Sequence, residues 1–431
     1  MVTKVGVIGM GFVGFPMAVV ISNSKFNFKV TGIERDNKIG RSICEKINNS
    51  KSPIASQDHL LEKYFFQSIK NKKLYATTNL SEISSCDIVI VSVGFDFYSE
   101  QSLNNVVNLI TKISLKINDN SLVIVETTLP PGFSEKIILP ILNKTKKNIC
   151  YAYSFERVTP GSNYYNSITN AIRVYSAKDS ISKKKFKNFF SKIINTAKYP
   201  MTEIKQIASC ELTKVLENSY RAMNIAFIDE WVKFSIKNKV NLNDAIAEVK
   251  KRSTHSNIMR PGIGVGGYCL TKDPYFIKYS SSKIFKNQDK FPFVNLTLSV
   301  NKKMPRTSAF FVHNIFQNIK KPKLLFLGKS YKEDVEDLRF SPSIKLKEIL
   351  SKKKYDVDFH DPYFSRYNLK KTILKRSYDG IVFCVPHSLY KNLPISFFSK
   401  NKIYIDLNMV INKKKLESLK RKKIKIYQLG S

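Results

Sequence analysis

The sequence predicts an α/β protein: two Rossmann-like parallel-sheet domains joined by a central all-helical region with one long helix. Three observations predict it. Short apolar runs alternate with helical stretches through the first two hundred residues, a stretch free of glycine and proline covers 207–237, and strand-like runs resume at Lys323-Leu324-Leu325-Phe326-Leu327. Strands that alternate with helices build parallel sheets, because each helical crossover carries the chain back to the same end of the sheet. The expected division is 1–200, 201–315 and 316–431.

The first element is Lys4-Val5-Gly6-Val7-Ile8, an apolar run suited to a buried strand, and it leads into Gly9-Met10-Gly11-Phe12-Val13-Gly14. That is a G-x-G-x-x-G turn. Residues 15–22 are apolar and free of glycine, so a helix is expected, and Lys29-Val30-Thr31-Gly32-Ile33 reads as a second strand ending at Glu34. In this order the pyrophosphate of a dinucleotide rests on the helix N-terminus, against Gly9, Gly11, Phe12, Val13 and Gly14, and the acid accepts hydrogen bonds from the ribose. Glu34 favours NAD, since a carboxylate there repels a 2′-phosphate; Arg35 reads either as a surface charge or as an opening for NADP. Further strands are expected at Ile88-Val89-Ile90-Val91, Leu122-Val123-Ile124-Val125, Cys150-Tyr151-Ala152-Tyr153 and Ile172-Arg173-Val174-Tyr175.

Past Pro200 the texture becomes helical, with 261–274 as an interruption and a second helical stretch over 294–319. The last lobe is read from its first strand at 323–327, a helix through 346–350, and strands at 357–360, 380–384 and 403–406.

Composition narrows the function classes. At 431 residues and 43% hydrophobic content the chain is long enough for two or three independent cores. No run of eighteen apolar residues occurs, and the N-terminus lacks the zones of a signal peptide, so a cytoplasmic protein without a membrane partner is expected. Six cysteines and five histidines are dispersed without metal-ligand spacing, so no metal is expected. The net charge of +38, from 72 basic and 34 acidic side chains, is spread along the whole length as lysine. Such a pattern indicates solvated surfaces and attraction of anionic small molecules rather than a nucleic-acid stripe.

Residues 261–274 carry the densest chemistry: Pro-Gly-Ile-Gly-Val-Gly-Gly-Tyr-Cys-Leu-Thr-Lys-Asp-Pro. Gly262, Gly264, Gly266 and Gly267 permit close backbone approach to a ligand, and Cys269 follows as a candidate nucleophile, with Lys272 and Asp273 behind it. A buried cysteine beside a flexible turn is the alternative.

Five ordered motifs resemble the UDP-glucose/GDP-mannose dehydrogenase family over essentially the entire chain. They are the N-terminal fingerprint, Tyr153-Ser154-Phe155-Glu156-Arg157-Val158-Thr159-Pro160-Gly161, Glu211-Leu212-Thr213-Lys214-Val215-Leu216-Glu217-Asn218, the Cys269 loop, and Gly328-Lys329-Ser330-Tyr331-Lys332-Glu333-Asp334-Val335-Glu336-Asp337-Leu338-Arg339. The resemblance implies four-electron oxidation of C6 of a nucleotide sugar, UDP-linked by expectation, with NAD as acceptor and a homodimer formed through the central helix. It implies catalytic roles for Cys269, Lys214, Asn218, Glu156, Asp273 and Thr128. It also implies contacts of Lys272, Arg339 and Thr128 with NAD, and of Arg157, His255, Asn257, Gly264, Gly266 and Lys332 with substrate. Lys214 and Asn218 stand four apart, so a helix presents both on one face.

The chain departs from the family pattern at Val93-Gly94-Phe95, where Val-Pro-Thr is usual, at Phe155, where proline is common, and at His255, in the place of an arginine. The Gly-Val-Gly-Gly loop looks more like members acting on 2-acetamido sugars. Two other readings remain open on residues alone: a two-electron β-hydroxyacid-type NAD dehydrogenase, and a non-catalytic NAD or nucleic-acid binding protein on the same scaffold.

Overall fold

The computed structural model describes residues 2–94, 100–158, 160–374 and 376–431; Phe95 and Thr159, both in the motifs above, lie outside the described residues. Two compact units form, one of Met1–Glu217 with Tyr275–Lys290 and one of Asn218–Pro274 with Phe291–Ser431.

The first unit is built on eight strands: β1 (Thr3–Ile8), β2 (Phe28–Ile33), β3 (Leu74–Thr77), β4 (Ile88–Val91), β5 (Leu122–Val125), β6 (Cys150–Tyr153), β7 (Arg173–Ala177) and β8 (Met201–Glu203). Their order is β3-β2-β1-β4-β5-β6-β7-β8. Alternate residues of each strand enter separate cores. Val5, Val7, Ile88, Ile90, Leu122 and Ile124 pack on one face, and Ile8, Val89, Val91, Val123 and Val125 pack on the other. Both faces are covered, which is why these strands read as unbroken apolar runs. Each fully buried aliphatic side chain contributes roughly 1.5–3 kcal/mol.

The strand near 172–175 departs from the all-parallel expectation. β1 to β6 pair in parallel, but β7 runs antiparallel to β6, with Ala152 opposite Ala177 and Tyr153 opposite Ser176. The connection between them holds a single helix of six residues, Tyr164–Thr169. A parallel return would carry the chain back to the other end of the sheet, whereas this link re-enters at the end that β6 has just left, so β7 runs back along β6. As a result the first residue of β7 lies beside the C-terminal ends of β5 and β6. The strands β3, which alternates buried and exposed residues, and β8, three residues long and polar at two of them, form no apolar run and were not expected from the sequence.

The long helix is Ile207–Asn238, matching the expected 207–237. Two sides of it are apolar. Ile207, Cys210, Val215, Ala222, Ala226, Ile228 and Val232 are buried, while Leu212, Leu216, Tyr220, Met223, Phe227, Trp231 and Phe234 are exposed.

The second unit contains the helices Leu242–Val249 and Pro292–Phe316, which holds Pro305 in its interior. Its sheet has five strands: β9 (Lys323–Leu327), β10 (Asp356–His360), β11 (Gly380–Phe383), β12 (Ile403–Asp406) and β13 (Lys425–Gln428). They are ordered β10-β9-β11-β12-β13, and every pair is parallel. Leu324 and Phe326 face one core, Leu325 and Leu327 the other.

Candidate active site

In the first unit, β1 delivers the glycine turn to the N-terminus of the helix Gly14–Ser22. Gly9 has φ +92°, a conformation that favours glycine, and a Cβ at Gly14 would strike the Gly9 carbonyl. A Cβ at Gly11 would meet nothing within 4 Å. Two glycines therefore serve the turn and the third leaves open space, the division of labour a dinucleotide cradle needs. Glu34 ends β2 with its Oε1 accepting the Met10 amide at 2.5 Å, which fixes the acid beside the turn. Arg35 is exposed, and the Phe12 carbonyl accepts the Tyr164 hydroxyl. These residues fit NAD. Thr128 stands half-buried three positions beyond β5.

The Glu156 carboxylate lies at the end of β6, and it is buried. The Glu156 carboxylate forms its ion pair with Arg173, not with the side chain of Arg157 or Lys214. Its Oε2 lies 3.0 Å from Arg173 Nη1, and its Oε1 accepts the Arg157 amide at 2.7 Å. The Arg157 side chain pairs instead with Glu217. Lys214 Nζ donates to the Glu156 backbone carbonyl at 2.7 Å and lies over the Phe155 ring. Arg173 also reaches Glu126, with Nη2 3.1 Å from Oε1. Burial pushes Glu126 up to about 7, against the pull of Arg173, and the Glu156 charge adds to the rise.

In the second unit Cys269 opens the short helix Cys269–Lys272 and is exposed, whereas Cys44, Cys86, Cys150, Cys210 and Cys384 are buried. The buried-cysteine alternative therefore fails for Cys269. Asp273 is fully buried; its Oδ2 accepts Asn218 Nδ2 at 2.6 Å and its Oδ1 accepts Lys272 Nζ at 2.7 Å. Asp273 thus ties Lys272, three residues past the cysteine, to Asn218 on the long helix.

The glycines of the loop are filled from within the chain. A Cβ at Gly264 would press on Pro305 and Pro342, and one at Gly266 on Tyr331 and the Phe340 carbonyl. Gly267, at φ +77°, lies against the Tyr331 ring, and its amide donates to the Arg339 carbonyl at 2.9 Å. Close packing of the 331–342 segment, rather than open space for a ligand, explains these side-chain-free positions. Arg339 forks onto Asp337, with Nη2 2.6 Å from Oδ2, and its guanidinium sits 5.4 Å over Tyr268.

Lys332 is half-buried; burial lowers its pKa, Glu333 opposes that and Arg221 adds to it. Asn257 Nδ2 donates to the Tyr220 hydroxyl at 2.5 Å, and His255 Nδ1 lies 2.8 Å from Thr254 Oγ1. Val93 and Gly94 follow β4 as loop.

Sequence reasoning missed Glu126 and Arg173. The available signal was a charged residue at the head of an otherwise apolar strand, since a buried arginine needs acidic partners.

A dinucleotide turn with its acid, a second parallel five-stranded lobe, and a lysine and asparagine one turn apart on a long helix define an NAD-dependent dehydrogenase. Residues 3–194 match the NAD binding domain of the UDP-glucose/GDP-mannose dehydrogenase family, 208–303 its central domain, and 325–413 its UDP binding domain. The chain belongs to that family, and it is an NAD-dependent nucleotide-sugar dehydrogenase. It is 29% identical to a UDP-N-acetyl-D-mannosamine dehydrogenase of Methanococcus aeolicus, over 95% of this chain and 92% of that one. It is 27% identical to a UDP-N-acetyl-D-glucosamine 6-dehydrogenase of Pseudomonas aeruginosa, over 90% and 92%. The fold matches a solved UDP-D-ManNAc dehydrogenase from Pyrococcus horikoshii with a TM-score of 0.82 at 24% identity, covering 99% of each chain.

Proposed function

We propose that this enzyme oxidises C6 of a UDP-linked 2-acetamido hexose from alcohol to carboxylate, through a covalent adduct on Cys269. The exposed Cys269 thiol, set beside Lys272 and Asp273, carries the reading. The acetamido preference rests on the Gly264-Val265-Gly266-Gly267 loop and on relatives named for UDP-N-acetylhexosamines.

Gly9, Gly11, Phe12, Val13, Gly14, Glu34 and Thr128, with Lys272 and Arg339, would hold NAD, which would supply the hydride acceptor for each of two oxidations. Lys214 and Asn218 hold the C6 oxygen as its proton leaves and charge develops there. The resulting aldehyde has no C–H bond beside an oxyanion, so the Cys269 thiolate adds to it and forms a thiohemiacetal. Loss of a second hydride and a proton leaves a thioester. Water, oriented by the Glu156 carboxylate, cleaves the C–S bond; the acid departs and the thiol is restored.

Arg157, His255, Asn257 and Lys332 are assigned to the sugar nucleotide, and the lowered basicity of Lys332 marks a lysine already partly stripped of water. The seven exposed apolar residues of the long helix support a homodimer through that helix. Domain boundaries at 1–200, 201–315 and 316–431 and a cytoplasmic location complete the reading; no helix among the described residues is long and apolar enough to cross a membrane.

The test is stoichiometry. UDP- and GDP-hexoses, with and without a 2-acetamido group, are screened for NADH formation, and the reading requires two NADH per sugar with acid as product. One NADH with free aldehyde would exclude the thioester route.

A further inference from the structure

Glu126, Arg173 and Glu156 form a buried triad in the first unit, with side chains 0%, 5% and 7% exposed. Arg173 Nη2 lies 3.1 Å from Glu126 Oε1 and Nη1 lies 3.0 Å from Glu156 Oε2. The Phe190 ring stacks 4.4 Å from the guanidinium on another side, and Ser92 Oγ, just past β4, donates to Glu126 Oε2 at 3.3 Å. The topology explains how the three meet. Glu126 directly follows β5, Glu156 follows β6, and the antiparallel register of β6 with β7, continued three residues beyond Tyr153, sets Glu156 opposite Arg173. The first strand to break the parallel pattern, β7, which β8 then follows in parallel, therefore delivers a cation to the end of the sheet where ligands of open α/β folds bind.

A structural ion pair needs one carboxylate per arginine. Here two share one, so with both ionised the buried group carries an uncompensated negative charge, which is costly without a further partner. We propose that Glu126 and Arg173 are positioning residues for Glu156: they fix where its carboxylate points and how firmly it holds a proton during thioester hydrolysis. This rests on the assignment of Glu156 to the hydrolytic water.

The groups facing the triad are few. Arg157 contributes its amide to Glu156 Oε1, and its side chain turns to Glu217. Lys214 occupies the Glu156 carbonyl rather than the carboxylate. Arg173 is thus the cation shared by both acids, and Glu126 competes with Glu156 for it. Burial raises Glu126 to about 7, with Arg173 opposing and Glu156 adding to the rise, so that competition changes across neutral pH.

The test follows acid release after a single turnover as a function of pH, in wild type, Glu126→Gln, Arg173→Gln and Arg173→Lys. Glu126→Gln leaves Arg173 wholly to Glu156, which then binds its proton less firmly. The acidic limb of hydrolysis moves to lower pH, and the plateau rate falls by roughly tenfold, as expected for a weakened general base. Arg173→Gln leaves two carboxylates facing each other, so the limb moves to higher pH, and Arg173→Lys brings it part of the way back. A merely structural role would lower thermal stability without moving the limbs in opposite directions. Limbs that coincide with wild type, or that move together, overturn the proposal.

Infrared titration of the buried carboxyl gives a readout independent of turnover. In the difference between wild type and Glu126→Gln, which cancels the band of the other buried acid, Glu211, a protonated-carboxyl band should titrate near neutrality; its absence from that difference overturns the proposal even where Arg173→Gln fails to fold. A wild-type enzyme that forms no acid from any nucleotide sugar removes the proposed function instead, and the infrared band still decides the triad.

Discussion

Glu211, in the long helix, accepts two hydrogen bonds from Ser134, from its amide at 2.9 Å and its hydroxyl at 2.6 Å. It accepts a third from the Gly132 amide at 2.6 Å. The carboxylate is fully buried and joins the helix that carries Lys214 to the loop that carries Thr128. Glu211→Ala strands these buried donors, at about 1–3 kcal/mol for each that finds no new acceptor. Calorimetry should show the first unfolding transition shifted down, and Glu211→Asp, with a shorter reach, should recover only part of the loss.

The same residue makes stability depend on pH. Burial pushes Glu211 up to about 8, although the Ser134 and Gly132 donors pull the other way. Below the unfolded carboxyl value, ~4.3, both states are protonated and its contribution is fully present. As pH rises from there toward about 8 the unfolded chain ionises while the folded site resists, so stability drains across that window. Denaturation midpoints measured over this range should fall with rising pH in wild type and stay flatter in Glu211→Gln.

Cys269→Ala is expected to abolish acid formation while leaving NAD affinity and unfolding unchanged. Its side chain is exposed, so truncation to alanine removes little buried surface and shifts stability by about 0.5 kcal/mol. Rapid-quench product analysis and a melting curve read both halves together. Acid formation at the wild-type rate would remove the nucleophile.

Much of this was legible because burial leaves its mark on residue type. The 207–238 helix is unbroken by glycine or proline, and the central strands of both sheets, β1, β4, β5, β9 and β11, are runs of apolar residues packed on two faces. Direction is a different matter. Arg173-Val174-Tyr175 has the same pattern whichever way it runs, since alternation reports faces and not polarity, so the antiparallel β7 was invisible. That hid the Glu156 partner as well. The cation next to Glu156 in the chain is Arg157, whereas register supplies Arg173 from seventeen residues away. Asp273 likewise showed its position but not its bond to Asn218, which joins residues 55 apart in the chain.

His387 should prove to be the clasp of the segment carrying Lys332. Fully buried, it faces Asp361 Oδ2 through Nε2 at 3.1 Å and accepts the Asp334 amide at Nδ1 at 2.9 Å. With Nδ1 accepting the Asp334 amide, Nε2 is left to donate to Asp361. Asp361 Oδ2 also accepts the amides of Lys329 and Ser330. Burial favours the protonated acid, but the His387 contact and these donors outweigh it and hold Asp361 well below the usual carboxylate range. Its contribution is therefore present above the unfolded aspartate value and lost as pH falls through the folded one. His387→Ala should raise KM for the nucleotide sugar more than it lowers kcat and cost about 1–3 kcal/mol. Initial-rate kinetics with both substrates varied would show a pure kcat effect if the clasp is irrelevant to Lys332.

The exposed face of the long helix gives the last expectation. Leu212, Leu216, Tyr220, Met223, Phe227, Trp231 and Phe234 recur at intervals of three and four, so they line one side of the helix, and Phe227 and Trp231 stack edge to face at 6.0 Å. A contiguous apolar stripe of this length is unfavourable in water unless another surface covers it. Trp231 sits in the C-terminal half of the stripe, and a charge at an apolar interface cannot be buried without a partner. Trp231→Glu should therefore convert dimer to monomer without unfolding the chain, as read by sedimentation equilibrium alongside circular dichroism. A wild-type protein that sediments as a monomer at every concentration, with the stripe intact, would rule out the interface.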